Sequence, residues 1–250
     1  MKIAPKILAT IVISVAMHSI AVAQPRFDAA SIRPTQDRRD ESMVVNPGGI
    51  LYSRVRLHDV IEAAYGVKYY QVSGPEWLEA DSFDISARAE GSHSREELML
   101  MLQTLLADRF KLALHREQKE LPVYALLVGK NGSKLRPAED GGDVSMGPAA
   151  RGIGFQKISM TDFASRFLSR LPPIGRPVID RTGLPGRYDF TLSLAPRADA
   201  QPEEIKRAAF EEGFSLFAYA LDQIGLRLEA QRAVIDLLVI DHIERVPTEN

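Results

Sequence analysis

The sequence predicts an α+β fold made of two diverged copies of one β-α-β-β-α-β-β unit, with antiparallel or mixed sheets and helices packed on one face. Three observations predict it. The stretch Ile153 to Leu168, IGFQKISMTDFASRFL, repeats Ile50 to Tyr65, ILYSRVRLHDVIEAAY, without a gap: Ile153 repeats Ile50, Phe155 answers Tyr52, Lys157 answers Arg54 and Asp162 repeats Asp59. Short segments of alternating polarity and short helical patterns then follow both stretches in the same order. Finally, 45% of residues are apolar and none is cysteine, so a sheet-and-helix core must hold the chain without disulfides.

The chain opens with Lys2 and Lys6, an apolar run from Ile7 to Met17 and the small residues Ala21-Val22-Ala23. This is the pattern of a secretory signal peptide over residues 1–23, so a periplasmic or secreted protein with no membrane span after cleavage is expected. An uncleaved anchor is the alternative. Loss of the two leader lysines leaves 29 basic against 33 acidic residues, a balance that excludes a nucleic-acid binder. The lack of cysteine also excludes thiol catalysis and thiolate metal sites.

Residues 24–47 read as a strand, Phe27 to Pro34, and a polar loop, with the turn Asn46-Pro47-Gly48-Gly49 delivering the chain into the first repeat, residues 48–135. Gly49 to Val55 alternates as a strand. Leu57, Val60, Ile61 and Ala64 then space a short helix that Gly66 ends. Tyr69 to Val72 and Ser82 to Ala89 read as strands on either side of a Gly74-Pro75 loop. Ser94-x-x-Glu97 is a capping box for a helix with Leu98, Met101, Leu102, Leu105 and Leu106 on one face. Strands Phe110 to Leu114 and Val123 to Val128 close the unit.

Residues 136–151, rich in Gly, Pro and Asp, read as a linker. The second repeat, residues 152–250, runs through strand Gly152 to Ile158, a helix entered at Ser159-x-x-Asp162 and stopped by Pro172-Pro173, strands Pro177 to Asp180 and Tyr188 to Leu194, a helix from about Pro202 to Ile224, and strands Leu226 to Leu228 and Ile235 to Ile240. The two units pack either as separate lobes or on one shared sheet. Leu237 to Ile240, apolar on both faces, favours a central strand.

No motif names a reaction. Gly-x-Ser-x-Gly and Ser-x-x-Lys are absent, and Ser73, Ser92 and Ser94 sit among ordinary turn and cap residues. His58, His93, His115 and His242 are each isolated, without the second and third ligands zinc requires, so no metal and no cofactor is expected. Asp59 with Asp162, and Asp84 with Asp189, are the acid pairs held by both repeats. Their expected role is architectural: the first pair offsets helix dipoles, and the second holds a turn or an arginine such as Arg88 or Arg187.

The binding candidates are Trp77, the sole tryptophan, in a loop between strands; Tyr69 and Tyr70 near it, with Tyr65; and His242, beside Asp241 at a strand exit. Together these favour a non-catalytic binding or interaction module of the cell envelope, its partner an envelope protein, a peptide or a glycan. A hydrolase with a dispersed active site is the rival.

Several segments carry a resemblance: Phe27-Asp28-Ala29-Ala30-Ser31-Ile32-Arg33-Pro34, Val72-Ser73-Gly74-Pro75-Glu76-Trp77-Leu78, Leu105-Leu106-Ala107-Asp108-Arg109-Phe110, Asp180-Arg181-Thr182-Gly183-Leu184 with Gly186-Arg187-Tyr188-Asp189-Phe190, and Val239-Ile240-Asp241-His242-Ile243-Glu244. With these the chain closely resembles the soil-associated exported conserved hypothetical proteins abundant in Acidobacteria, a domain of unknown function. Some relatives there look like fusions to a membrane metallopeptidase-type sensor, which implies a third reading, a sensor partner of an envelope signalling system. Leu57 to Ala64 with its flanking strands is similar, more weakly, to the short N-terminal domain of secretins and TonB-dependent receptors, which implies an interaction module.

Overall fold

The computed structural model describes residues 24–35, 41–139, 141–142, 144–150, 152–172, 174–193 and 214–248. The leader expected over residues 1–23 and the first part of the helix expected from Pro202 lie outside these residues. What is described is a mixed α+β fold. Its elements are β1 (Ala29–Thr35), β2 (Ser42–Asn46), β3 (Gly49–Arg56), α1 (Leu57–Tyr65), β4 (Val72–Ser73), α2 (Trp77–Ala80), β5 (Ser82–Arg88), α3 (Arg95–Phe110), β6 (Ala113–Val128), β7 (Arg136–Pro137), β8 (Ser145–Ala149), β9 (Gly152–Ser159), α4 (Met160–Asp162), β10 (Val178–Asp180), β11 (Arg187–Ser193), α5 (Phe214–Gln223) and β12 (Leu226–His242).

The described strands form three four-stranded sheets. Two outer sheets have matching orders, β1-β5-β3-β2 and β7-β11-β9-β8, and are antiparallel throughout. The central sheet, β10-β6-β12-β4, joins them: β6 and β12 pair antiparallel along their whole lengths, and the short strands β10 and β4 add in parallel at its edges. The sheet is therefore shared, and the separate-lobe arrangement is excluded. Leu121 and Ala233 are register partners near the middle of the ribbon.

Each end of the long ribbon enters a different core. Leu112 just before β6, Leu114 at its start, and Leu238 and Ile240 near the end of β12 pack with α1, α3, β3 and β5. Tyr124, Leu126 and Val128 pack with Leu226 and Leu228 against β9, β11 and α5. The first core includes Phe83 edge-on to Phe110 at 5.2 Å, and the second stacks Phe155 on Phe190 at 5.0 Å. The capping box of α3 forms as expected, with Ser94 Oγ accepting from the Glu97 amide at 3.1 Å and the Ser94 amide donating to Glu97 Oε2 at 2.8 Å.

Several expectations need correction. Phe110 to Leu114 and Val123 to Val128 are not two strands: Phe110 ends α3, and β6 runs unbroken through the intervening polar segment because β12 pairs with it there. The same holds for Leu226 to Leu228 and Ile235 to Ile240, one strand. Residues 136–151 are not a free linker, since they supply β7 and β8, and the loop expected before Asn46 contains β2. Tyr69 to Gln71 is a tight 3-10 turn rather than a strand, and Trp77 opens the one-turn helix α2. The helix after Ser159 is irregular, α4 widening into a π turn over Phe163–Phe167 and tightening over Leu168–Arg170.

The outer sheets share one local device. In β3 the two residues Ser53 and Arg54 oppose the single residue Asp84, and in β9 Gln156 and Lys157 oppose Asp189. Arg54 and Lys157 take left-handed φ values of 56° and 54°, which side chains other than glycine disfavour. The carboxylates offset that cost: Asp84 Oδ1 accepts the Arg54 amide at 2.8 Å, and Asp189 Oδ1 accepts the Lys157 amide at 2.7 Å. At the strand starts Gly49 and Gly152 have φ of 146° and 156°, and a Cβ on either would run into the carbonyl oxygen of Ala87 or Leu192.

Arg54→Gly should therefore be neutral to within about 1 kcal/mol, whereas Arg54→Val should cost about 1–3 kcal/mol in a urea titration. Gly49→Ala should cost at least about 2 kcal/mol, having no space for its methyl group.

Candidate functional site

A cluster of ionisable side chains lies where α1 meets the irregular helix of residues 160–170. Helix α1 begins Leu57-His58-Asp59 and carries Glu62 one turn on; it buries Leu57, Val60, Ile61 and Ala64 against the first core, yet its polar side is also closed over. His58, Asp59 and Glu62 are only 4%, 7% and 7% exposed. Buried charge requires partners, and arginines from both halves of the chain supply them. Arg170, on the irregular helix of the second repeat, bonds Asp59 Oδ1 and, at 2.8 Å, Glu62 Oε2. Arg56 Nε bonds Asp59 Oδ2 at 2.7 Å, and Arg166 Nε stands 3.7 Å from Glu62 Oε1. All four carboxylate oxygens thus face a guanidinium.

Around this pair sit Tyr69, His58 and Glu79. The Arg170 guanidinium lies 4.6 Å from the Tyr69 ring centroid, and the His58 ring tilts against the same tyrosine at 4.7 Å. His58 Nε2 is 3.5 Å from Glu79 Oε1, while its Nδ1 has no hydrogen-bond partner. Burial holds the His58 imidazole below its ordinary 6.5, against the opposing pull of Glu79 and Asp59. Burial likewise raises the Glu62 carboxyl above 4.5, with Arg170 and Arg166 acting the other way. Tyr69 is raised by burial and then by its hydrogen bond to Glu79.

His58, Asp59 and Glu62 each offer a ligand atom within 4.8 Å of the other two, so the donor set has the composition of a divalent-cation site. Arg170 already provides the positive charge there, and a metal ion would bind only with that guanidinium withdrawn. The cluster ties α1 to the irregular helix of residues 160–170.

The candidates from the sequence do not converge. Tyr69 belongs to this cluster. Tyr70 packs instead beside Leu121, Val123 and Ile235 on another part of the central sheet, and Trp77 lies half-buried against the first core with Tyr65. His242 is exposed at the end of β12; the neighbouring carboxylate of Asp241 orients His115 Nδ1 at 2.8 Å instead. Asp59 does more than offset a helix dipole, being half of the buried carboxylate pair, whereas Asp162 accepts from Ser159 Oγ and stands 3.9 Å from Lys68 Nζ. Asp84 and Asp189 hold the two bulges. Arg187 does not engage Asp189 there; its Nη1 donates to the Lys157 carbonyl at 2.8 Å. Sequence reasoning missed Glu62 and Arg170. The four-residue spacing of His58 and Glu62 on one helix was the available signal; Arg170 had none.

Two open hollows lie on the outer sheets, on the faces away from the helices. One, about 530 Å³, is lined by Ser31, Arg33, Leu51, Ser53, Arg54, Asp84 and Ser86 among others. The other, about 830 Å³, includes Arg136, Glu139, Met146, Lys157, Asp189 and Thr191. Arg33 is the register partner of Asp84, and Arg136 of Asp189, so each hollow carries an edge arginine, a central aspartate and a bulge cation.

Arg170→Met should cost about 3 kcal/mol, because it takes one of the two guanidinium partners from each of two buried carboxylates; the urea midpoint at neutral pH reads it. The pH dependence of His58 has a definite sign. Its folded pKa lies below 6.5, so the unfolded chain takes up the proton first and stability falls as pH drops through that window. Glu62, raised in the fold, works in the opposite direction above 4.5. His58→Gln should therefore flatten the loss of stability between neutral pH and about pH 5, read as the difference from wild type in paired urea titrations.

No curated protein and no solved structure matches the chain. A family described as "Protein of unknown function (DUF3738)" matches residues 58–243, from the histidine of the buried cluster to one residue past β12. With about three-quarters of its length covered, the chain belongs to that family.

Proposed function

We propose that the protein is an exported, non-catalytic binding module of the cell envelope, built of two diverged copies of one unit. One observation carries the reading. Where acid, base and imidazole converge, they are buried and their carboxylate oxygens are taken by arginines, whereas the hollows on the outer sheets present charged and apolar side chains to solvent. A hydrolase needs its imidazole and carboxylates within reach of substrate, and neither of those hollows includes His58, Asp59 or Glu62. The secretory pattern of residues 1–23 supports export, and the matched bulges at Arg54 and Lys157 support the duplication. The similarity of Leu57 to Ala64 to the short N-terminal domain of secretins favours an interaction role over chemistry.

Fractionation of cells expressing the full chain should recover it outside the cytoplasm and shortened at the leader; full-length chain in the cytosol overturns export. Purified protein should turn over no chromogenic ester, amide, phosphate or glycoside above the blank. Turnover that falls at least about a hundredfold in His58→Ala would replace the binding module with the hydrolase.

A further inference from the structure

Among the strands at sheet edges, β2 differs from the rest in what it lacks. The other edges of the outer sheets are blunted: β1 carries Arg33 and Pro34, β7 is Arg136-Pro137, and β8 carries Gly147 and Pro148. In the central sheet the edge strands β4 and β10 are only two and three residues long. By contrast β2, Ser42-Met43-Val44-Val45-Asn46, has no proline, no glycine and no charge, and no described strand pairs with it on the side away from β3. Val44 on its outer face is 46% exposed and the register partner of Val44, Leu51, is 51% exposed, although both are aliphatic.

The hairpin fixes which backbone groups of β2 are free. Asn46 pairs with Gly49 across the two-residue loop Pro47-Gly48, and the pair that closes such a loop exchanges both of its hydrogen bonds. Bonding alternates from there, so Val44 and Ser42 turn their backbone groups to β3 while Met43 and Val45 turn theirs to the open edge. The strand is also self-complementary about Val44. Laid antiparallel on its own copy, it sets Ser42 opposite Asn46, Met43 opposite Val45 and Val44 opposite Val44, so polar residues meet polar and apolar meet apolar. The residues that then meet as hydrogen-bonded pairs, Met43 and Val45, are the two whose backbone groups are free.

We infer that β2 is the contact of a symmetric homodimer, in which it pairs antiparallel with β2 of a second copy about a two-fold axis at Val44. The β1-β5-β3-β2 sheets of the two copies become one continuous sheet, and each Met43–Val45 pair exchanges both of its backbone hydrogen bonds. On the outer face the exposed Leu51 and Val44 meet their twins in an unbroken aliphatic row. On the inner face Met43 and Val45, half-buried at the margin of the first core, cover their counterparts. The flanking residues fix the register: the neighbouring registers set Val45 opposite Glu41, or Met43 opposite Pro47, which has no N–H to donate. A foreign strand would use the same backbone groups, but the match of Ser42 with Asn46 and of Val44 with itself belongs to a second copy. An uncharged strand also meets no repulsion from its own image.

Analytical ultracentrifugation of the full mature chain from about 1 to 500 µM tests this: the mass should rise with concentration from monomer to dimer and go no further. Val44→Lys, which sets two ammonium groups face to face on the axis, and Val45→Pro, which removes an outward N–H and none that bonds β3, should each weaken the dimer at least about tenfold. Met146→Lys, on the matching edge strand β8 and at a residue 60% exposed, should leave it unchanged. Because the chain has no cysteine, an introduced one reports distance. Facing residues of a pair that exchanges no hydrogen bonds have Cα atoms about 4.5 Å apart, within disulfide reach, whereas the two copies of Leu51 are three strand spacings, about 14 Å, from each other. Under oxidised glutathione, Val44→Cys should therefore form a covalent dimer at least about tenfold faster than Leu51→Cys, and this comparison carries the test if Val44→Lys does not fold. A monomer throughout the range, a dimer indifferent to both Val44→Lys and Val45→Pro, or equal cross-linking of Val44→Cys and Leu51→Cys would overturn the homodimer. The binding-module reading is independent of the dimer, since neither the fractionation nor the turnover assay depends on it.

Discussion

The antiparallel pairing of β6 with β12 is the constraint on which the rest of the fold depends. Each strand is too long to serve one core, and each gives its two ends to different cores. Neither half of the chain can therefore complete its hydrophobic interior alone. The strand that closes the first core comes in part from the end of the chain, and a stretch of the first repeat lines the second. Because backbone hydrogen bonds run along the whole ribbon, separating the repeats would break the ladder and open both interiors together. The edge strands β4 and β10 reinforce the exchange, since each pairs with the long strand that the other repeat supplies.

The buried ion cluster adds specificity to that cooperativity. Apolar packing tolerates small slips; a guanidinium bonded to two carboxylates does not. Arg170 meets Asp59 and Glu62 only when the irregular helix of the second repeat is seated against α1. The cost of burying three charges is offset by the guanidinium groups that face all four carboxylate oxygens, although Arg170 Nε is left without a hydrogen-bond partner, and the widened and tightened turns that carry Arg170 are the local irregularity that brings it there.

Local and periodic features were legible in the sequence. The capping box Ser94-x-x-Glu97, the helix of Leu57, Val60, Ile61 and Ala64, and the alternation of Ser82 to Ala89 depend on neighbours a few residues away. The ribbon was not, because Glu117 to Glu120 and Glu229 to Arg232 are largely polar and are held as strand by pairing with Val234 to Leu237 and Pro122 to Ala125 of the facing strand. The strands β7 and β8 were hidden for the same reason: Gly147, Pro148 and Pro137 read as loop, and only the edge of a sheet tolerates them there. Of the site, Asp59 and Tyr69 were visible as residues but not as partners of Arg170, since nothing periodic links α1 to a helix of the other repeat.

The two bulges show what the outer sheets hold in common and where they differ. Asp84 and Asp189 hold the same strained backbone by the same hydrogen bond, and Gly49 and Gly152 meet the same neighbouring carbonyl, so these positions follow from the geometry of a bent sheet edge. Geometry of that kind constrains the backbone and leaves the outward side chains free. Leu51 stands in one copy where Gly154 stands in the other, and Glu139 lines only the second hollow. An architectural role for the aspartates is therefore compatible with a recognition role for the faces around them: one frame, bent twice in the same way, carries two surfaces that differ in charge and in apolar reach, and a ligand that reads those properties distinguishes them.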